Sequence, residues 1–99
     1  MRLRLGVRSY VCLWEFRVNA GFVSEFEKAY GPGGDWARLF RRADGYLGTE
    51  LLRDRDDPYR YVTADYWQSR ASYDAFQTGF GAEYAAVDAR CAAYSVEER

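Results

Sequence analysis

The chain has 99 residues, nearly half of them apolar and 18% aromatic, with 14 basic against 15 acidic side chains and no histidine. That length excludes a second domain and buries only about 65% of the surface an unfolded chain exposes, while the aromatic content excludes disorder. A formal net charge of −1 gives no overall pull toward nucleic acid or anionic lipid, and without imidazole any site must rely on other chemistry.

The opening stretch, Met1 to Ser9, carries Arg2, Arg4 and Arg8 but lacks the apolar core of a signal peptide. No later run approaches the length of a membrane span, so no membrane partner and a cytoplasmic location are expected. Ser9 to Val18 reads as a strand with Tyr10, Cys12, Trp14 and Phe16 on one parity and Val11, Leu13, Glu15 and Arg17 on the other. Both faces are largely apolar, which predicts cover on both sides.

Asn19 can cap the following helix, in which Phe22, Phe26, Ala29 and Tyr30 recur at helical spacing. Gly31-Pro32-Gly33-Gly34 must break that helix, after which Asp35 starts a second turn carrying Trp36, Leu39 and Phe40. Arg38, Arg41 and Arg42 read as a solvated helix face. Asp44-Gly45 gives a turn, and Tyr46 to Arg53 is β-leaning, with Gly48 and Thr49 leaving room above a sheet. Asp54 to Tyr59 is a polar turn returning Arg60 to Trp67 as the partner strand.

Ser69 caps a second helical region with Tyr73, Phe76, Phe80, Tyr84, Val87 and Cys91 three or four apart, loosened by Gly79 and Gly81. Tyr94 to Val96 forms a last short strand. Trp67 therefore stands where a sheet hands over to a helix, the expected wall of a small-molecule pocket. Cys12 and Cys91 lack metal or redox spacing and read as two reduced thiols, with a disulfide left open.

The order β-α-β-β-α-β predicts an α+β fold of the ferredoxin-like, split βαβ kind: a four-stranded antiparallel sheet with helices on one face, within residues 1–99 as a single domain. Two apolar faces on the first strand predict a sheet-to-sheet homodimer, burying roughly 1,600 Å² or more. RNA-recognition modules share this element order, but Arg60-Tyr61-Val62-Thr63-Ala64-Asp65-Tyr66-Trp67 lacks their third-strand signature, so no nucleic-acid partner is expected.

The run Val11-Cys12-Leu13-Trp14-Glu15-Phe16-Arg17-Val18 with Asn19-Ala20-Gly21, the segment Gly45-Tyr46-Leu47-Gly48, and Trp67-Gln68-Ser69 leading to Tyr73 and Phe76 resemble the antibiotic biosynthesis monooxygenase-like family of the dimeric α+β barrel group. The resemblance implies a pocket between sheet and helices, and cofactor-free oxidation of a small phenolic or polyketide-like aromatic, with no flavin, haem or metal. Trp67 matches the tryptophan such sites place at the strand end. Phe76 falls where many relatives carry histidine, which argues against haem degradation because iron would lack its usual ligand.

The base must then be a carboxylate or a tyrosinate. Asp65 and Glu50 are the strand candidates whose burial would raise their pKa, with surface carboxylates facing solvent or an arginine as the other reading. Trp14, Tyr46, Phe76 and Phe80 are candidate substrate contacts or core. Trp36, after the glycine-rich break, is a lid anchor or a hydrophobic tether. A dimeric binding protein with the same pocket and no turnover is the alternative, since no triad, phosphate loop, dinucleotide-binding or metal-ligand pattern appears.

Overall fold

The computed structural model describes residues 9–99; the arginine-bearing start at 1–8 lies outside them. Four strands, β1 (Tyr10–Val18), β2 (Tyr46–Arg53), β3 (Arg60–Trp67) and β4 (Ser95–Glu98), form one antiparallel sheet in the order β2-β3-β1-β4. Four helices connect them: α1 (Val23–Tyr30), α2 (Asp35–Phe40), α3 (Arg70–Gly79) and α4 (Gly81–Cys91). This is the expected split βαβ topology, with β1 and β3 in the middle.

Register decides which side chains meet the helices. β1 and β3 pair from Tyr10 opposite Trp67 to Arg17 opposite Arg60, so Cys12, Trp14 and Phe16 share a face with Asp65, Thr63 and Tyr61. Phe16, Val18, Tyr61 and Trp67 are buried there against Phe26, Phe40, Phe76 and Val87. Aromatic pairs dominate this contact: Phe16 meets Phe26 edge-on at 5.1 Å, and Phe40 meets Trp67 edge-on at 5.5 Å. Each such pair adds about 0.5–1.5 kcal/mol beyond area burial.

Asn19 accepts from the Gly21 amide, but what it caps is a 3₁₀ turn, Ala20–Phe22, and the α-helix proper begins after it. The glycine-rich break is tightly packed. A Cβ on Gly34 would lie 2.3 Å from the Lys28 carbonyl oxygen and 2.4 Å from that of Ala29, so only glycine lets the chain pass beneath the end of α1. Arg38 donates to the Gly33 carbonyl at 2.8 Å and Arg41 to the Pro32 carbonyl at 2.5 Å. Arg42 pairs with Glu83 and lies over the Phe80 ring. These arginines are exposed, as a solvated face requires, and they also clasp the α1–α2 corner and its neighbour α4.

In β2 an extra residue between Tyr46 and Gly48 makes a β-bulge, with Gly48 at φ 154°. Without it, positions 46 and 49 would point to opposite faces; with it, Tyr46 pairs with Trp67 and Thr49 with Asp65 on the helix side. Gly79 and Gly81 divide the second helical region completely: Phe80, at φ −123°, ends α3 and starts α4. The last strand, expected at Tyr94 to Val96, begins at Ser95 after a 3₁₀ turn at Ala92–Tyr94. Cys12 and Cys91 are free thiols.

The face away from the helices is only half apolar. Val11, Leu13 and Leu52 are 42%, 63% and 50% exposed on it. Toward its other end Arg60 donates to Glu15 at 3.0 Å, Arg99 to Glu15 at 3.1 Å, and Arg17 pairs with Asp57. The expected continuous greasy surface is therefore interrupted, because Glu15 and Arg17 follow Leu13 on that parity. The aromatics Tyr10, Trp14, Phe16, Tyr61 and Trp67 take the helix-side parity and leave Tyr66 as the one aromatic of β1 and β3 on the free face, short of the paired base-stacking aromatics of RNA-recognition modules.

Candidate active site

Between the sheet and the helices lies a hollow of about 40 Å³, floored by Cys12, Trp14 and Phe16 of β1 and by Thr63 and Asp65 of β3. Tyr30, Trp36 and Phe40 roof it from α1 and α2, Tyr73 and Tyr84 from α3 and α4. Asp88 and Glu98 stand in its lining from α4 and β4. This holds a few waters at most, well below the ~300–1,000 Å³ of ligand clefts. A larger opening, about 240 Å³, lies outside between the Arg42–Asp44 segment and α3, edged by Phe76 and Phe80; its only buried wall residue is Phe76, which is apolar.

Asp65 is the polar centre of the inner hollow. Its side chain is placed on the helix side by strand parity, and the residue is 8% exposed. Thr49 donates to Asp65 Oδ1 at 2.7 Å, and the Tyr46 and Thr49 hydroxyls are 2.6 Å apart. Since Thr49 has a single hydroxyl proton and a carboxylate can only accept, Tyr46 must be the donor to Thr49. A relay Tyr46 to Thr49 to Asp65 results, and the β2 bulge is what aligns it. Burial pushes the Asp65 carboxyl up to about 6, with the Thr49 bond pulling the other way.

The other titratable walls move out of reach. Burial raises the Tyr46 and Tyr73 phenols, and carries Tyr84 up to about 12. Burial, with the Asp65 and Asp74 charges, carries the Cys12 thiol up to about 11. At neutral pH these are protonated donors, so a tyrosinate or thiolate base is disfavoured and Asp65 is the interior group poised to take a proton.

Trp36 lines the same hollow, 7% exposed, in a T-shaped contact with Tyr84 at 4.9 Å between ring centres. Its Nε1 is buried and closes no hydrogen bond, although it sits beside the Tyr30 hydroxyl and the Cys91 thiol. A buried donor without an acceptor costs about 1–3 kcal/mol, which a ligand oxygen would recover.

Of the candidates read from the sequence, Asp65, Trp14 and Trp36 come together around the hollow. Tyr46 acts one bond behind, through Thr49. Trp67 is fully buried one layer back, packed on Phe40 and Tyr73, and does not border the hollow; its Nε1 is also unpartnered. The reading of Trp67 as pocket wall is corrected by geometry: α3 and the bulged strand close over it. Phe76 is 1% exposed in the same cluster, and Phe80 stacks on it toward the outer groove.

Glu50 lies on the opposite face of the sheet, exposed, accepting from the Tyr66 hydroxyl at 2.6 Å, so it cannot serve this hollow. Sequence reading did not single out Thr63, Asp88 or Glu98. Thr63 was findable from the Tyr61–Thr63–Asp65 parity, and Asp88 as the charged residue one turn after Tyr84, at the exposed margin of the helix face that buries Val87 and Cys91.

Together the sheet and hollow define a small ferredoxin-like α+β protein with an aromatic, carboxylate-bearing interior site. Residues 9–86 match the antibiotic biosynthesis monooxygenase family model, and the chain belongs to that family. No curated protein matches it. Among solved structures it is similar to SnoaB, a cofactor-independent oxygenase from Streptomyces nogalater, at 26% identity and TM-score 0.67 over 94% of this chain and 90% of that one. It is also similar to a Nitrosomonas europaea protein named for the same family, at 20% identity and TM-score 0.71 over 98% and 89% of the two chains. A Shewanella oneidensis protein shares the fold at 19% identity and TM-score 0.68, over 99% and 91%. Among the described residues no helix is long and apolar enough to cross a membrane, and no cluster of side chains is set to hold a metal ion.

Proposed function

We propose that the protein is a monooxygenase working without a cofactor, oxidising a flat phenolic aromatic of polyketide type in the hollow beneath Trp36. One observation carries this reading: a buried carboxylate, Asp65, fed by a hydroxyl relay and facing an aromatic chamber. Family membership and the likeness to a cofactor-independent oxygenase support it. Asp65 removes a proton from an activated CH₂ of the substrate, and the carbanion passes an electron to O₂. Recombination of the radical pair forms a C–O bond; protonation of the peroxide and loss of water leave a carbonyl. The balance is R₂CH₂ + O₂ giving R₂C=O + H₂O.

Trp36 Nε1–H donates to the substrate oxygen that carries the delocalised charge. Trp14 and the phenols exclude water and stack on the ring. A polycyclic ligand needs more than the present volume, so Trp36 and Tyr84 swing outward to admit it. The protein acts in the cytoplasm as a homodimer joined through Val11, Leu13 and Leu52. Light scattering at micromolar concentration checks the assembly: a monomer there, or a Leu13→Glu variant with unaltered mass, excludes that interface.

Purified metal-free protein is expected to accelerate anthrone oxidation over buffer, followed by absorbance and oxygen uptake, with a loss of about 10²–10⁴-fold in Asp65→Asn. The small size of the hollow favours a second reading, a binding protein without turnover. An anthrone that quenches tryptophan fluorescence yet oxidises no faster than in buffer selects that one.

A further inference from the structure

Among the described residues the hollow is lined by three carboxylates and no cation. Asp65 lies in the floor, while Asp88 and Glu98 belong to α4 and β4 at the other side of the chamber. Neither the Asp88 nor the Glu98 side chain has an ion-pair or hydrogen-bond partner among the described residues. The arginines nearest in sequence are engaged elsewhere: Arg90 donates to Asp35 at 3.2 Å and Arg99 to Glu15 at 3.1 Å. Both carboxylates bear on the same two phenols, Tyr30 and Tyr84, which with Trp36 form the aromatic wall beside them. Both residues are exposed, so they stand at the solvent-facing rim of the chamber; partial burial, followed by the charge of Asp88, raises the Glu98 carboxyl. In this wall Trp36 Nε1 is a fully buried donor that closes no hydrogen bond among the described residues.

Unpaired carboxylates beside aromatic faces attract a cation twice, through charge and through the ring quadrupoles, and repel an anion. We propose that Asp88 and Glu98, with the Trp36–Tyr84 wall, select an aromatic ligand bearing a protonated amine and discriminate against ligands bearing a carboxylate. This rests on the reading of the hollow as the ligand site. Trp36 Nε1 is left to meet a neutral oxygen on the ring, while the amine lies toward the two acids.

The test uses three probes with one ring system, aminomethylanthracene, hydroxymethylanthracene and anthracene carboxylate, titrated against the intact chain by tryptophan fluorescence at low salt. The amine is expected to bind about tenfold or more tighter than the acid, with the alcohol between. The double variant Asp88→Asn, Glu98→Gln should bring amine and acid within about threefold while binding the alcohol as the parent does, which also reports an intact fold. Asp65→Asn should leave the amine preference standing. Equal affinities for the three probes, tighter binding of the acid, a preference unmoved in the double variant, or failure of all three to bind overturns the proposal. Anthrone turnover without the amine preference removes this inference alone; the preference without turnover removes the oxygenase reading alone.

Discussion

Thr49 Oγ1 donates to Asp65 Oδ1 across 2.7 Å, joining a bulged edge strand to the strand beside it inside the core. That bond stabilises the charged form of a carboxylate that burial otherwise pushes toward neutrality, so the two residues together set where Asp65 titrates. As a base Asp65 must be ionised, and kcat/KM should rise with pH through about 6 and level above it. Thr49→Val removes the donor and should move that midpoint upward by about 1 pH unit. A profile that stays in place, or one that is flat in the parent, denies Asp65 the role.

The same titration is a statement about stability. The folded pKa of Asp65 lies above the ordinary carboxyl value of 3.8, so its contribution is fully present below about 4 and is lost as pH rises through about 6. The loss amounts to about 3 kcal/mol. Asp65→Asn, which has no charge to bury, should therefore be no more stable than the parent at pH 4 and more stable at pH 8. Urea unfolding of both chains at the two pH values checks this; a parallel pH response contradicts it.

The two buried tryptophans should behave differently. Trp36→Phe keeps the ring against Tyr84 but removes the free donor, and should lower kcat about 10–100-fold at little cost to the fold. Trp67→Phe, one layer behind, should keep the rate within about threefold and cost about 1–2 kcal/mol in packing. Trp67→Ala should cost about 3–5 kcal/mol. Steady-state rates beside thermal melts separate the cases, and equal rate losses in both phenylalanine variants would return Trp67 to the site.

Gly34→Ala forces a methyl group against the carbonyls of Lys28 and Ala29. The backbone cannot yield there without moving α2, because Arg38 and Arg41 tie the corner. A loss of about 2 kcal/mol or more is expected in chemical denaturation, with weakened aromatic binding because Trp36 stands two residues on. Gly33→Ala, with open space around its Cβ position, is the control and should be nearly silent.

Local chemistry made much of the fold legible. Alternation in Tyr10–Val18 and Arg60–Trp67, the proline and glycines at 31–34, and Ser69 before a helical repeat each follow from constraints acting within a few residues, and the elements formed where these signals stand. Asp65 was legible as a candidate because strand alternation put it on one parity with Tyr61, Thr63 and Trp67. The bulge at Leu47 was not legible, and it decides that Tyr46 and Thr49 share a face. Glu50 and Asp65 looked alike as strand carboxylates, yet pairing put them on opposite sides.

By itself, then, the sequence determined the elements, their order and the aromatic interior, since periodicity and turn chemistry are carried by neighbours along the chain. Only tertiary structure decided which parity met the helices, that Trp67 sits behind the hollow, and that Asp88 and Glu98 reach it from distant elements. Those outcomes depend on register and on packing between segments far apart in the chain, and no run of adjacent residues encodes either.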